Sequence, residues 1–101
     1  MEQKIELTPL EGRIAEVAQY EANIVLYNNL LTTLPTEYPA HLLEYKGAED
    51  QHKIAASIEN LDDVELLSKL WYADECKAAI RAETVELTKA KSILQILQTG
   101  I

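Results

Sequence analysis

From Asn60 to Thr99 the chain contains neither proline nor glycine. These two residues are the strongest punctuators of local structure, so a long run without them favours one continuous helix. The apolar residues inside the run agree. Leu66, Ala73, Ile80, Leu87 and Leu94 recur every seven positions, and a sustained period of seven marks helices that wind together. Asn60 is a good N-cap, and Asp62 and Asp63 follow where the helix dipole favours anions. Lys89 and Lys91 lie late, where it favours cations. The spacing predicts a helix over 61–98, roughly 57 Å long at 1.5 Å per residue. Glu65/Lys69, Asp74/Lys77 and Glu86/Lys89 are spaced to pair along its surface.

A second long helix is written near the start. Thr8, Pro9 and Glu11 form a capping box with proline at the first helical position. Leu10, Val17, Ile24 and Leu31 then recur every seven. Ile14 joins them one turn on, and Tyr20, Tyr27 and Leu34 widen the stripe. Pro35 cannot continue a helix and disfavours helical geometry at Leu34, so this helix is expected over 9–34. Between the two lie shorter signals. Thr36 can cap a helix over 37–46, with Gly47 as its stop, and "AEDQHKIAASI" suggests another over 49–58.

The expected fold is all-α. It is a long antiparallel, coiled-coil-like hairpin of 9–34 against 61–98, with two short helices packed at one end. The last helix should outrun the first by about a dozen residues, roughly 18 Å. Each helix has one apolar column, and the companion column is half polar: Glu21 and Asn28 interrupt it on the first, and it runs through Leu70, Lys77, Thr84 and Lys91 on the last. Two stretches, Ala22 to Thr36 and "SILQILQTGI", carry no charged side chain. A single hairpin cannot bury them all, so the helical bundle is expected to be completed by self-association, most simply as a symmetric dimer. The residues expected at that interface are Leu10, Val17, Ile24, Leu31, Leu66, Trp71, Ala73, Ile80, Leu87 and Leu94.

Charge narrows the partners. Among 101 residues, 17 are acidic and 9 are Lys or Arg, for a net charge of −8. Such a chain repels phosphate, which argues against direct binding to nucleic acid. It suits a basic protein partner. The charged start "MEQKIELTPLEG" lacks the order of a signal peptide. No apolar run is long enough to span a bilayer. One cysteine cannot make an internal disulfide. Together these fit a cytoplasmic protein.

Three groups of residues invite a chemical role. "LSKLWYADECKAAIRAE" (67–83) holds the one Trp and the one Cys. On a helix, Trp71 flanks the apolar column and supplies packing, or anchors a partner together with Tyr72. Cys76 has no nearby histidine in sequence to act as the base a nucleophilic thiol needs. Glu49 and His52 have the Glu-x-x-His spacing of di-metal sites in helical bundles. Glu37 and His41 are four apart, so the two pairs on adjacent short helices are candidates to converge on one metal ion. Solvated side chains near helix starts explain the same acids without an ion. Finally, "ENLD" (Glu59, Asp62) and "ETVE" (Glu83, Glu86) resemble the carboxylate pairs of all-α MazG-like nucleoside triphosphate pyrophosphatases. Those enzymes hold Mg²⁺ on a triphosphate. The family has its E-x-x-E first, whereas here the order is reversed. Both pairs also fall along one helix, more than about 20 Å apart, so only an antiparallel dimer could join them.

No P-loop, dinucleotide fingerprint, nucleophile elbow or zinc spacing occurs, and no cofactor is expected. The leading expectation is a non-enzymatic protein–protein interaction module: a small adaptor, regulator or inhibitor, of the kind many phages and mobile elements encode. The competing class is a metal-dependent helical hydrolase or small-ligand-binding bundle built on the Glu/Asp/His clusters. The seam itself is testable. Ile80→Asp places an unpaired charge in the apolar column and is expected to unfold the chain or break its assembly, read by circular dichroism and light scattering. A variant that folds and assembles normally would place the seam elsewhere.

Overall fold

The computed structural model describes residues 8–99. They form an all-α helical hairpin, with no strand among the described residues. Helix α1 spans Pro9–Thr32, a 3₁₀ helix Ala40–Tyr45, helix α2 Gln51–Ser57 and helix α3 Leu61–Thr99. No helix among them is long and apolar enough to cross a membrane.

Local chemistry accounts for each boundary. The Thr8 hydroxyl accepts from the Glu11 amide at 3.2 Å and donates to Glu11 Oε1 at 3.0 Å. That pairs an otherwise orphaned amide at the start of α1. The helix ends at Thr32, two residues short of the expected 34. The Thr32 and Thr33 hydroxyls donate to the carbonyls of Asn29 and Leu30, and Pro35 blocks helical geometry at Leu34. The expected helix over 37–46 is replaced by the shorter 3₁₀ helix. Pro39 sits outside it in extended geometry with ψ 156°, and its ring disfavours a helical Tyr38. Gly47 then turns the chain with φ 76°. A Cβ there would meet nothing within 4 Å, so replacement is opposed by backbone geometry alone. Helix α2 begins at Gln51 instead of 49, because the Asp50 carboxylate caps it by accepting from the Lys53 amide at 3.1 Å. It ends at Ser57, before an extended Ile58. At α3, Asn60 Oδ1 accepts from the amides of Asp62 at 2.9 Å and Asp63 at 3.4 Å. That helix continues one residue past 98.

Helix α1 packs along α3. Val17 is buried, and Tyr20, Ile24, Tyr27 and Leu31 are half-buried, while Ile14, Glu21 and Asn28 are exposed. On α3, Ala73, Cys76 and Ala90 are buried and Ile80, Glu83, Leu87 and Leu94 half-buried; Thr84 and Lys91 are exposed. The first column thus lies where the heptads place it, apart from Leu10, which is 37% exposed. The second column keeps Leu70, which is fully buried, and differs beyond it. It runs three residues after the first rather than four, through Tyr20 and Tyr27 on α1 and Cys76, Glu83 and Ala90 on α3. Cys76 and Ala90 of this column are buried and Glu83 between them is half-buried, while Lys91 lies exposed outside it.

Helix α3 has 39 residues and α1 has 24. The overhang at the start of α3 is covered by the middle segment. There Leu42, Leu67 and Trp71 form a buried cluster, with Tyr38, Tyr45, Ile54 and Ile58 packed around it. Leu67 and Leu70 are the largest side chains fully removed from solvent among the described residues. The result is thin, with extents of 59 × 37 × 23 Å and a radius of gyration of 19.8 Å. A compact chain of this length has about 13 Å.

Leu67→Ala is expected to destabilise the protein by about 2–5 kcal/mol, the range for emptying a filled core site. Leu61→Ala, at a side chain 79% exposed, should stay within about 0.5 kcal/mol. Paired urea unfolding curves check both. Equal effects would mean the overhang is not held by this cluster.

Candidate functional site

The middle segment meets α3 through polar contacts as well as apolar ones. Trp71 Nε1 donates to the Tyr45 carbonyl at 3.1 Å, which pays the hydrogen-bonding debt of a ring only 5% exposed. Tyr38 donates its hydroxyl to Asp74 Oδ2 at 2.6 Å. Asp74 therefore serves the middle segment instead of pairing with Lys77. Lys46 Nζ lies 5.7 Å from the centre of the Tyr38 ring, within cation–π range. Burial, then the hydrogen bond to Asp74 and its charge, push the Tyr38 phenol well above the ordinary tyrosine value. The Tyr45 phenol is raised by the charge of Glu44 first and burial second. Of the other expected surface pairs, Lys69 reaches Glu65 at 3.2 Å and Lys89 reaches Glu86 at 3.5 Å. Both are exposed and worth little.

The Glu/His pairs do not converge. Glu37 precedes Pro39 and lies off the 3₁₀ helix, so it shares no helical face with His41. His41 Nε2 instead lies 3.0 Å from Asp63 Oδ1 on α3. Glu49 lies ahead of the Asp50 cap, so its spacing to His52 is not helical either. Among the described residues, no three His, Cys, Asp or Glu side chains gather closely enough to hold a metal ion. The two acidic motifs also stay apart. Glu59 and Asp62 flank the start of α3, whereas Glu83 and Glu86 lie more than five helical turns further along it. Glu83 enters the seam, and its Oε2 is shut off from solvent with no hydrogen-bond partner. The nearby Tyr20 hydroxyl donates to Glu16 at 3.2 Å. Burial raises the Tyr20 phenol above its usual value, and Glu16, Glu86 and Glu83 add to the shift. Cys76 is a free thiol, 2% exposed, and belongs to the seam.

What the fold does assemble is a cleft of about 380 Å³ between the start of α2 and the first half of α3. Glu49, Asp50, Gln51, His52 and Ala55 line one wall, and Ser68, Trp71, Tyr72 and Glu75 the other. Trp71, expected at an interface between copies, is thus consumed by intramolecular packing. Tyr72 remains 45% exposed. Two stretches that stood apart in sequence, "EDQH" and "WYADE", share this one concavity. The signal for it was weak: Ser68, Trp71, Tyr72 and Glu75 recur at helical spacing, but nothing in sequence says that α2 lies across them.

Compared with protein-family models, curated proteins and solved structures, the chain finds no match.

Tyr38 supplies a pH-dependent test. Its phenol is raised in the folded state, so the folded chain holds that proton more tightly than the unfolded one. The associated stability is fully present below about pH 10 and is lost as pH rises toward the folded value. Thermal melts from pH 8 to 11 should show this decline. Tyr38→Phe should lower stability by roughly 1–2 kcal/mol at neutral pH and make the alkaline decline shallower. An unchanged alkaline slope in the variant would remove the Tyr38–Asp74 contact from the account.

Proposed function

We propose that this chain is a non-enzymatic protein–protein interaction module, an adaptor, regulator or inhibitor, that works as an assembly of its own copies. The observation that carries this is the apolar surface left exposed along both long helices.

The exposed apolar side chains are placed to use that surface. On α1, Leu10, Ile14, Val25 and Leu26 are each more than a third exposed, and so are Val85, Ile93, Ile96 and Leu97 on α3. Those from Ile93 onward lie on the stretch without charge. With apolar surface committed to self-association, the acidic outer faces are left for a basic protein partner, whose approach the net charge would accelerate.

Size exclusion with light scattering, over a range of concentrations, is expected to give twice the chain mass of 11.4 kDa or a higher multiple. The double variant Ile93→Asp, Ile96→Asp should give a monomer with an unchanged helical circular dichroism spectrum, because both side chains are exposed within one hairpin. A wild-type monomer at every concentration would refute self-association.

A further inference from the structure

The geometry points to the cleft between α2 and α3 as a binding site for an organic cation, an alkylammonium or guanidinium group. Its volume of about 380 Å³ lies at the small end of the range for ligand sites and suits a side-chain-sized group. Its walls carry both attractions such a cation uses. Glu49 and Glu75 are exposed carboxylates that make no ion pair among the described residues. Tyr72, 45% exposed, adds aromatic surface, and a cation near an aromatic face gains about 0.5–1 kcal/mol at exposed sites; Trp71 lies buried behind the same wall. No Lys or Arg lines the cleft, and His52 is its one basic side chain. Asp50 contributes less, because its carboxylate is engaged in capping α2.

An organic cation fits better than a metal ion. A hard ion such as Ca²⁺ or Mg²⁺ needs several oxygen ligands drawn close together, and no cluster of three candidate ligands exists among the described residues. An ammonium or guanidinium group is satisfied by separated carboxylates and an aromatic wall. The site is also independent of self-association. Tyr72 and Ile93 lie on one helix, about 30 Å apart along its axis, so either property can fail without the other.

The chain has a single Trp, and it is on the cleft wall, so its fluorescence reports occupancy. Three titrations use the intact chain: spermidine, the capped peptide acetyl-Gly-Lys-Gly-Arg-Gly-amide, and MgCl₂ at matched ionic strength. A saturable change with spermidine or the peptide, absent with MgCl₂, is the expected result. Tighter binding of the peptide identifies a polypeptide source, and tighter binding of spermidine a free amine. Tyr72→Ala should weaken binding roughly two- to fivefold, and Glu49→Gln with Glu75→Gln about threefold or more. Glu21→Gln, an exposed carboxylate on α1, should leave it unchanged. The proposal is overturned if neither probe moves the signal at millimolar concentration, if MgCl₂ reproduces the change, or if the Glu21 variant loses as much as the cleft variants.

Discussion

Everything in this molecule follows from two helices of unequal length. Helix α3 extends well beyond α1, and its apolar face does not stop where α1 stops. Leu67 and Trp71 lie on the overhang, and leaving them in water would cost about 1.5–3 kcal/mol for each. The middle segment is therefore not a linker. It is the third wall of a core that the hairpin alone cannot close. Its two prolines, its left-handed Gly47 and its two short helical pieces fold it back over the overhang, and the hydrogen bonds from Trp71 to Tyr45 and from Tyr38 to Asp74 hold it there. The cleft exists because that cover is incomplete.

The rest of the hairpin is built differently. Along the seam beyond Leu70, the buried side chains are Val17 and the small Ala73, Cys76 and Ala90. Such a seam removes little apolar surface per turn. Glu83 weakens it further, because a buried carboxylate oxygen without a partner costs about 1–3 kcal/mol. A polar residue in a helical seam can instead fix register, at that cost in stability. The molecule therefore has one well-filled end and one sparse end, and the exposed apolar residues of α3 gather toward the sparse one.

The long elements were legible in the sequence because their signals repeat. Caps and an uninterrupted heptad pointed to the same two helices, and each boundary fell within two residues; the late Lys89 and Lys91 lie short of the last turn of α3, which holds no basic residue. The middle segment was harder. Its short helices were bounded by competing signals, and Pro39 and Asp50 outweighed the caps and spacings that favoured longer ones. That shortening is also why the Glu37/His41 and Glu49/His52 pairs do not share helical faces. Tyr20 and Tyr27 were legible as a widening of the α1 stripe, but beyond Leu70 the second seam column of α3 was misplaced, for a related reason. Heptad spacing identifies one column firmly, but three-residue and four-residue steps to its companion are nearly equivalent on a helix. Only the partner helix decides between them. The cleft was out of reach altogether, since it joins residues from two elements whose mutual placement is tertiary.

Two residues that occur once each fall in the two unlike parts of the structure. Trp71 belongs to the filled end, and Cys76 to the seam. A thiol this buried reacts with a labelling reagent only when its surroundings open, so its modification rate acts as a clock for the seam. The indole keeps separate time for the end sealed by the middle segment. Whether the protein breathes as one cooperative unit or as two is thus recorded by side chains it already carries, without any probe being introduced.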